Sequence, residues 1–184
     1  LDNTRFKNNT IVILTSDHGW QMGEKDYLFK NSPWEESVRI PLVVSAPSLI
    51  NTGKVQQPVS LIDLYPTLME VCKLEGDTKL NDQGGDLGGF SLLPFLLDPD
   101  TTKWEGPNGA LSIVRNYGKT IPTEEQNFSY RTEKFRYIKY SDGGEELYDH
   151  EKDPYEWKNI AHQKKSKKIK AVLKSEMELI ISTR

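Results

Sequence analysis

An acid and an imidazole stand side by side at Asp17-His18, Gly19 follows at once, and a lysine returns twelve residues after the histidine, at Lys30. A carboxylate oxygen and an imidazole nitrogen can both ligate a divalent cation. An ammonium beside such a cation can clamp a tetrahedral oxyanion and take up charge on a leaving oxygen. Gly19 lets the backbone turn away sharply, Trp20 adds an aromatic wall, and Gly23-Glu24 lies between the two halves. Each residue also has a plainer reading. Asp17 can cap the next turn beside a hydrogen-bonded histidine, and a loop lysine is ordinarily just solvated. An ionised aspartate at the rim of a buried strand nevertheless needs a counter-charge, which a divalent cation, a lysine or an arginine can supply.

The elements that must position these groups are legible around them. Thr10 to Leu14 is β-branched and apolar, as in a strand buried on both faces of a parallel sheet. Ile40 to Pro47 reads as a second such strand, bracketed by prolines. Asp17 and His18 therefore stand just past a strand end, where ligands gather in α/β sheets. From Ser60 the period turns helical through Leu61, Leu64, Leu68, Met69 and Cys72, with Pro66 in the first turn. Cys72, among Leu68, Met69, Val71 and Leu74, reads as a core thiol. A Gly- and Asp-rich loop follows Gly76, and then an apolar island, FSLLPFLLDP, predicts a short helix.

Beyond residue 109 the pattern changes to short strands at Ala110–Val114, Phe128–Arg131, Phe135–Tyr140 and Glu145–Tyr148. Ser141-Asp142-Gly143-Gly144 turns the last pair into a hairpin, so a small antiparallel sheet is expected. A helix from about Lys164 closes the chain, with Ile169, Val172, Leu173, Met177, Ile180 and Ile181 on one stripe. Lysines 164, 165, 167, 168, 170 and 174 crowd its first half, as a solvated face or as an attractor of polyanions. The division expected is an α/β part over residues 1–108 and a smaller sheet-and-helix subdomain over 109–184.

Composition narrows the functional classes. Of 184 residues, 36% are hydrophobic and 28% charged, and the formal net charge is −3. That balance argues against a nucleic-acid partner, and the apolar runs are too short to span a membrane. One cysteine excludes an internal disulfide and a multi-cysteine zinc site. The opening LDNTRFKNN has no initiator methionine and no signal-peptide core, as expected of a fragment or a processed chain.

Taken together, SDHGWQMGEKDYLFK followed by WEESVRIPLVV resembles the sulfatase family of the alkaline-phosphatase-like superfamily, nearest its iduronate-sulfatase-like and choline-sulfatase-like branches. SLIDLYPTLMEV resembles the family's next helix, and YRTEKFRYIKYSDGGEELYDHEKDPYEWKNIA its C-terminal subdomain. The resemblance covers nearly the whole chain. It implies the α/β fold of the C-terminal part of an alkaline-phosphatase-like sandwich, with parallel strands and helices, plus the antiparallel subdomain.

For the site, the resemblance implies that Asp17 and His18 ligate one divalent cation, calcium in most of the family and magnesium as the other choice. Lys30 would contact the sulfate and stabilise the leaving oxygen, His18 would also reach the sulfate, and Trp20 would lean on the substrate. Many sulfatases carry Asn where His18 stands, and some carry His where Lys25 stands. The family's nucleophile is a formylglycine made within a Cys/Ser-x-Pro-x-Arg motif. Cys72, followed by Lys73-Leu74-Glu75-Gly76, does not fit it. The nucleophile and the other metal aspartates are therefore expected upstream, in an N-terminal part that partners this one, and the chain alone is expected to be inactive.

The implied activity is hydrolysis of a sulfate ester, on a sulfated carbohydrate or another organic sulfate, in a periplasmic, extracellular or lysosomal setting. Two rivals share much of the pattern. One is a phosphonate monoester or phosphodiester hydrolase of the same superfamily, and the other a non-catalytic relative that binds sulfated glycans. The loops Gln83–Gly89 and Gly118–Asn127 are expected to shape the substrate pocket.

Overall fold

The computed structural model describes all residues except 48, 77, 78, 80, 116–121, 123, 124 and 184. In chain order its elements begin with strand β1 (Val12–Thr15), helix α1 (Glu35–Val38), strand β2 (Leu42–Ser45), helix α2 (Leu64–Val71) and helix α3 (Leu93–Leu97). Strands β3 (Gly109–Val114), β4 (Asn127–Thr132), β5 (Phe135–Lys139) and β6 (Glu145–Asp149) follow, and helix α4 (Lys167–Ser182) ends the chain. They form two compact units. One comprises residues Leu1–Thr15 and Pro41–Gly106, the other Ser16–Ile40 and Pro107–Arg184.

In the first unit β1 and β2 pair antiparallel, with Val12 opposite Ser45 and Thr15 opposite Leu42. The parallel arrangement expected for this pair is thus corrected. A parallel return needs a crossover that packs on the sheet. The intervening segment holds only a 3-10 turn at Glu24–Asp26 and the single-turn α1, both of which belong to the other unit. Burial on both faces is also not what these strands show. Ile13 and Val44 turn inward and line an apolar cavity with Ala46, Leu64, Leu68 and Leu92. Val12, Leu14 and Val43 on the opposite face are exposed.

Helix α2 is preceded by a 3-10 turn at Leu61–Asp63 that carries a capping box. The Asp63 carboxylate accepts the Ser60 N–H at 2.7 Å and the Phe90 N–H at 2.9 Å, which ties the 90–92 segment to the helix start. Gly89 is needed there, because a Cβ would lie 2.1 Å from the Ile62 carbonyl oxygen. Cys72 is exposed, contrary to the core position expected. It falls one residue past the end of α2, off the covered face that carries Asp63, Leu64 and Thr67.

In the second unit the four strands form the expected antiparallel meander, β3-β4-β5-β6. Tyr140 N–H donates to the Gly144 carbonyl at 2.9 Å and Gly143 takes φ +88°, which closes the β5–β6 hairpin. The cross-strand partners Tyr130, Tyr137 and Leu147 share one sheet face and join Leu173, Met177 and Ile180 of α4 in the core. Val172, counted on the apolar stripe, is exposed. Arg131, Arg136 and Tyr148 occupy the opposite sheet face. Residues of the 16–40 segment cover that face, since Pro33, Glu35 and Lys25 all bond to it. Among the described residues, no helix is long and apolar enough to cross a membrane.

Candidate functional site

The segment after β1 folds back on itself. Gln21 N–H donates to Phe29 O at 3.0 Å and Gly23 N–H to Tyr27 O at 3.2 Å, so the two legs run side by side. Continuing that register brings residue 30 back to the level of residues 18–20, and the twelve-residue spacing between His18 and Lys30 closes. Gly19 seats the first leg on α1. Its N–H donates to Ser37 O at 2.8 Å and the Trp20 N–H to Glu36 O at 2.7 Å. A Cβ on Gly19 would lie 2.1 Å from the Glu36 oxygen, so only glycine permits this approach.

At the base of the legs three of the expected residues meet. His18 Nδ1 lies 2.7 Å from its neighbour's carbonyl, Gly19 O, which makes Nδ1 the protonated nitrogen and leaves a lone pair on Nε2. That lone pair accepts from Lys30 Nζ at 3.1 Å. Asp17 Oδ1 accepts the His18 backbone N–H at 3.0 Å, and Asp17 Oδ2 lies 3.5 Å from His18 Nε2. A carboxylate oxygen and an imidazole lone pair this close together attract positive charge. The ammonium of Lys30 already provides one positive charge there. Asp17 and His18 also fit two positions of a divalent-cation shell, the tautomer of His18 being fixed by a backbone carbonyl as in metal-ligating histidines. The Asp17 side chain is 84% exposed, so the pair faces solvent.

Trp20 is not brought onto these three groups. It packs edge-on against Phe29, with ring centroids 5.5 Å apart, and stays partly exposed.

The tip of the turn is strained. Gly23 takes φ +117°, and Lys25 and Asp26, neither of them glycine, both take φ +57°. Left-handed backbone costs an L-residue about 1–2 kcal/mol. Lys25, rather than contacting the site, reaches the sheet. Its Nζ donates to Tyr148 Oη at 3.0 Å and lies 4.5 Å from the Tyr148 ring centroid and 5.0 Å from that of Trp34.

A second cluster, which sequence reasoning missed, lies behind α1. Arg136 is buried and its Nε donates to Glu156 Oε1 at 2.6 Å, while its Nη2 donates to Glu35 Oε2. Arg131 Nε adds a bond to Glu35 at 3.2 Å. Glu156 Oε2 accepts the Glu35 N–H at 3.0 Å, and His150 Nε2 stands 2.9 Å from Glu156 Oε1. Burial pushes the Glu35 carboxyl up, but Arg136 and Arg131 outweigh it and hold the group below its ordinary range. For Glu156 burial is likewise overcome, by the His150 hydrogen bond and Arg136.

Glu35, His150 and Glu156 offer atoms within 4.8 Å of one another, close enough in principle for a metal. The Arg136 guanidinium bonds both carboxylates, so the cluster is an ion-pair lock with its positive charge already in place. Its local signals were faint: a charged residue inside the apolar run Phe135-Arg136-Tyr137-Ile138, and Glu156 in Asp153-Pro154-Tyr155-Glu156.

Known proteins match this arrangement over most of its length. A family model described as N-sulphoglucosamine sulphohydrolase, C-terminal, matches residues 23–183, a span that includes Lys30 and begins after Asp17 and His18. A sulfatase of Formosa agariphila is 35% identical over 173 residues, covering 94% of this chain and 30% of the relative. The structure of BT4656 in complex with its substrate D-glucosamine-2-N,6-O-disulfate aligns with a TM-score of 0.73 at 27% identity, over 94% of this chain and 34% of that one. The phosphonate monoester hydrolase of Agrobacterium radiobacter aligns with a TM-score of 0.80 at 25% identity, over 99% of this chain and 37% of that one. The chain thus spans about 30% of the length of the sulfatase relative it matches. Motifs, meander and matched span agree that this chain belongs to the sulfatases, as the C-terminal region typified by N-sulphoglucosamine sulphohydrolase.

Proposed function

We propose that the complete protein hydrolyses sulfate esters carried on carbohydrate, with this chain supplying the leaving-group side of the site. One observation carries the reading: Lys30 Nζ, His18 Nε2 and Asp17 Oδ2 converge at the open base of one loop. Lys30 is the group that donates to a sulfate oxygen and to the departing ester oxygen, where negative charge develops. His18 keeps its protonated Nδ1 on Gly19 and directs the Nε2 lone pair to the site. Asp17 fixes the loop through the His18 N–H and keeps Oδ2 beside His18 Nε2. Trp20, with Phe29, forms an aromatic edge against which a sugar ring can rest.

Asp17 and His18 are assigned as two ligands of a divalent cation, calcium before magnesium as the sulfatase resemblance implies. Such a cation, with a formylglycine in the N-terminal part of the enzyme, supplies the electrophilic assistance and the nucleophile that this chain lacks. The chain alone is accordingly inactive in our reading, and the complete protein acts in a periplasmic, extracellular or lysosomal setting. The substrate named for the BT4656 structure, a disulfated glucosamine, favours a sulfated amino sugar.

A second reading, phosphonate monoester hydrolysis, is favoured by the likeness to the Agrobacterium radiobacter enzyme. Both substrates present a tetrahedral anion to the same lysine. Rates of the complete enzyme on a 4-nitrophenyl sulfate, a sulfated glucosamine and a phenyl phosphonate ester decide between them. Preference for the sulfates supports the proposal, and preference for the phosphonate transfers the site to the second reading.

A further inference from the structure

We infer that Lys25 is a positioning residue, which latches the site loop to the antiparallel sheet so that Lys30 is presented to His18. The inference rests on the reading of Lys30 as a site residue. Three features of the second unit support it, beginning with the backbone. Lys25 and Asp26 are held in left-handed conformations that neither residue prefers, directly after Gly23. Such conformations persist only where the surroundings over-determine them.

The second feature is the seat of the side chain. The Lys25 ammonium lies over both the Trp34 and Tyr148 rings and donates to Tyr148 Oη at 3.0 Å. Neither ring is free to drift. Trp34 Nε1 donates to Glu146 Oε2 at 2.8 Å and Tyr148 Oη donates to the same oxygen at 2.7 Å. Glu146 and Tyr148 are both on β6, and Tyr148 is buried. Burial and the Glu146 hydrogen bond push the Tyr148 phenol well above its ordinary range, so it remains a neutral donor to Glu146. The box therefore combines two aromatic faces with a carboxylate behind them, a setting that favours a fixed cation.

The third feature is leverage. Lys25 sits at the tip of a hairpin whose legs are joined at Gln21–Phe29 and Gly23–Tyr27 and whose base carries His18 and Lys30. Holding the tip fixes the direction of both legs. Tyr27 reinforces the same wall, edge-on to Trp34 at 5.9 Å. Lys25 is half-buried while Lys30 on the same loop is exposed, which separates the anchoring lysine from the one offered to a ligand. A neutral side chain of similar length fills the box without the attraction that closes it.

The test uses the complete protein with Lys25→Met and Lys25→Arg, read by hydrogen exchange and by steady-state kinetics on 4-nitrophenyl sulfate. In Lys25→Met, amides of residues 21–29 should exchange about ten-fold faster, with β4–β6 unchanged. Turnover should fall about ten-fold with KM altered less than about two-fold, as expected when alignment of a group acting in the transition state is lost. Lys25→Arg, which keeps the cation over the rings, should restore most of both properties. Unchanged exchange and turnover in Lys25→Met overturn the inference, and so does faster exchange spread through β4–β6, which marks a merely structural role. If Lys25→Met does not fold, Lys25→Gln repeats the comparison. A wild-type enzyme inactive on sulfate and phosphonate esters sinks the proposed function alone, because the exchange comparison still decides whether Lys25 holds the loop.

Discussion

Lys30 Nζ lies 3.1 Å from His18 Nε2, twelve positions away in the chain, and the hairpin between them, strained at its tip, brings the two together. The ammonium has no acidic partner in this contact and is exposed, so it can turn to an incoming anion without breaking a buried ion pair. In the complete enzyme Lys30→Ala should lower kcat by roughly 10²–10³, the loss typical of one donor aimed at developing charge. KM should move much less. Lys30→Arg should recover little, because the planar fork cannot reproduce a point charge on a short loop. Single-turnover kinetics on an aryl sulfate measure this, and a wild-type rate in Lys30→Ala removes the lysine from the site.

Metal binding is separable from turnover. Asp17→Asn keeps the side chain's shape and its bond to the His18 N–H but removes the charge. Isothermal titration of calcium into the metal-free complete protein should show affinity reduced by more than the roughly 10–100-fold that loss of a supporting outer-shell bond costs. His18→Ala should weaken it as well. Equal calcium affinity in wild type and Asp17→Asn would place the cation elsewhere.

How far the sequence revealed this molecule depends on the range of the forces involved. The meander and α4 were legible because a strand's alternation, the Ser-Asp-Gly-Gly turn and the Leu173–Met177–Ile180 stripe are local patterns. The direction of β1 against β2 was not, since an apolar run does not say which way its neighbour points. Cys72 and Val172 failed for a related reason: each adjoins an apolar stripe but lies beyond its covered sector. Asp17, His18 and Lys30 stood out by residue type, their expected roles came with the family resemblance, and their meeting follows from the backbone ladder between 21 and 29. The Arg136 lock was only faintly marked. Glu35 and Arg136 are 101 residues apart, and nothing near either one announces the other.

Gly19 tests whether the seat of the loop matters. Gly19→Ala places a methyl 2.1 Å from Glu36 O and 2.9 Å from Arg39 O, both backbone atoms that cannot swing aside. Overpacking of this kind costs about 1–3 kcal/mol. A lower urea midpoint with an unchanged m-value is expected. The displaced first leg should also carry His18 away from Lys30 and lower turnover. A variant as stable and as active as wild type would show that the loop has another seat.

Arg136 tests the lock behind α1, and its pH dependence has a definite sign. Glu35 and Glu156 both titrate below their ordinary value of 4.5, so their partners stabilise the fold above that pH. That contribution is lost as pH falls below about 4.5 through the folded-state values. Removing the guanidinium leaves Arg131 beside Glu35 and His150 beside Glu156, so burial weighs more on both carboxylates and each titrates higher than in wild type. Arg136→Met should therefore destabilise the protein by about 3–5 kcal/mol near neutral pH. The deficit should shrink as the solution is acidified, because protonation relieves the unpaired charges in the variant while it breaks the ion pairs in wild type. Urea titrations of both proteins at several pH values between neutrality and pH 4 read this difference directly. A deficit independent of pH would mean that Arg136 stabilises the sheet through its packing rather than through its charge.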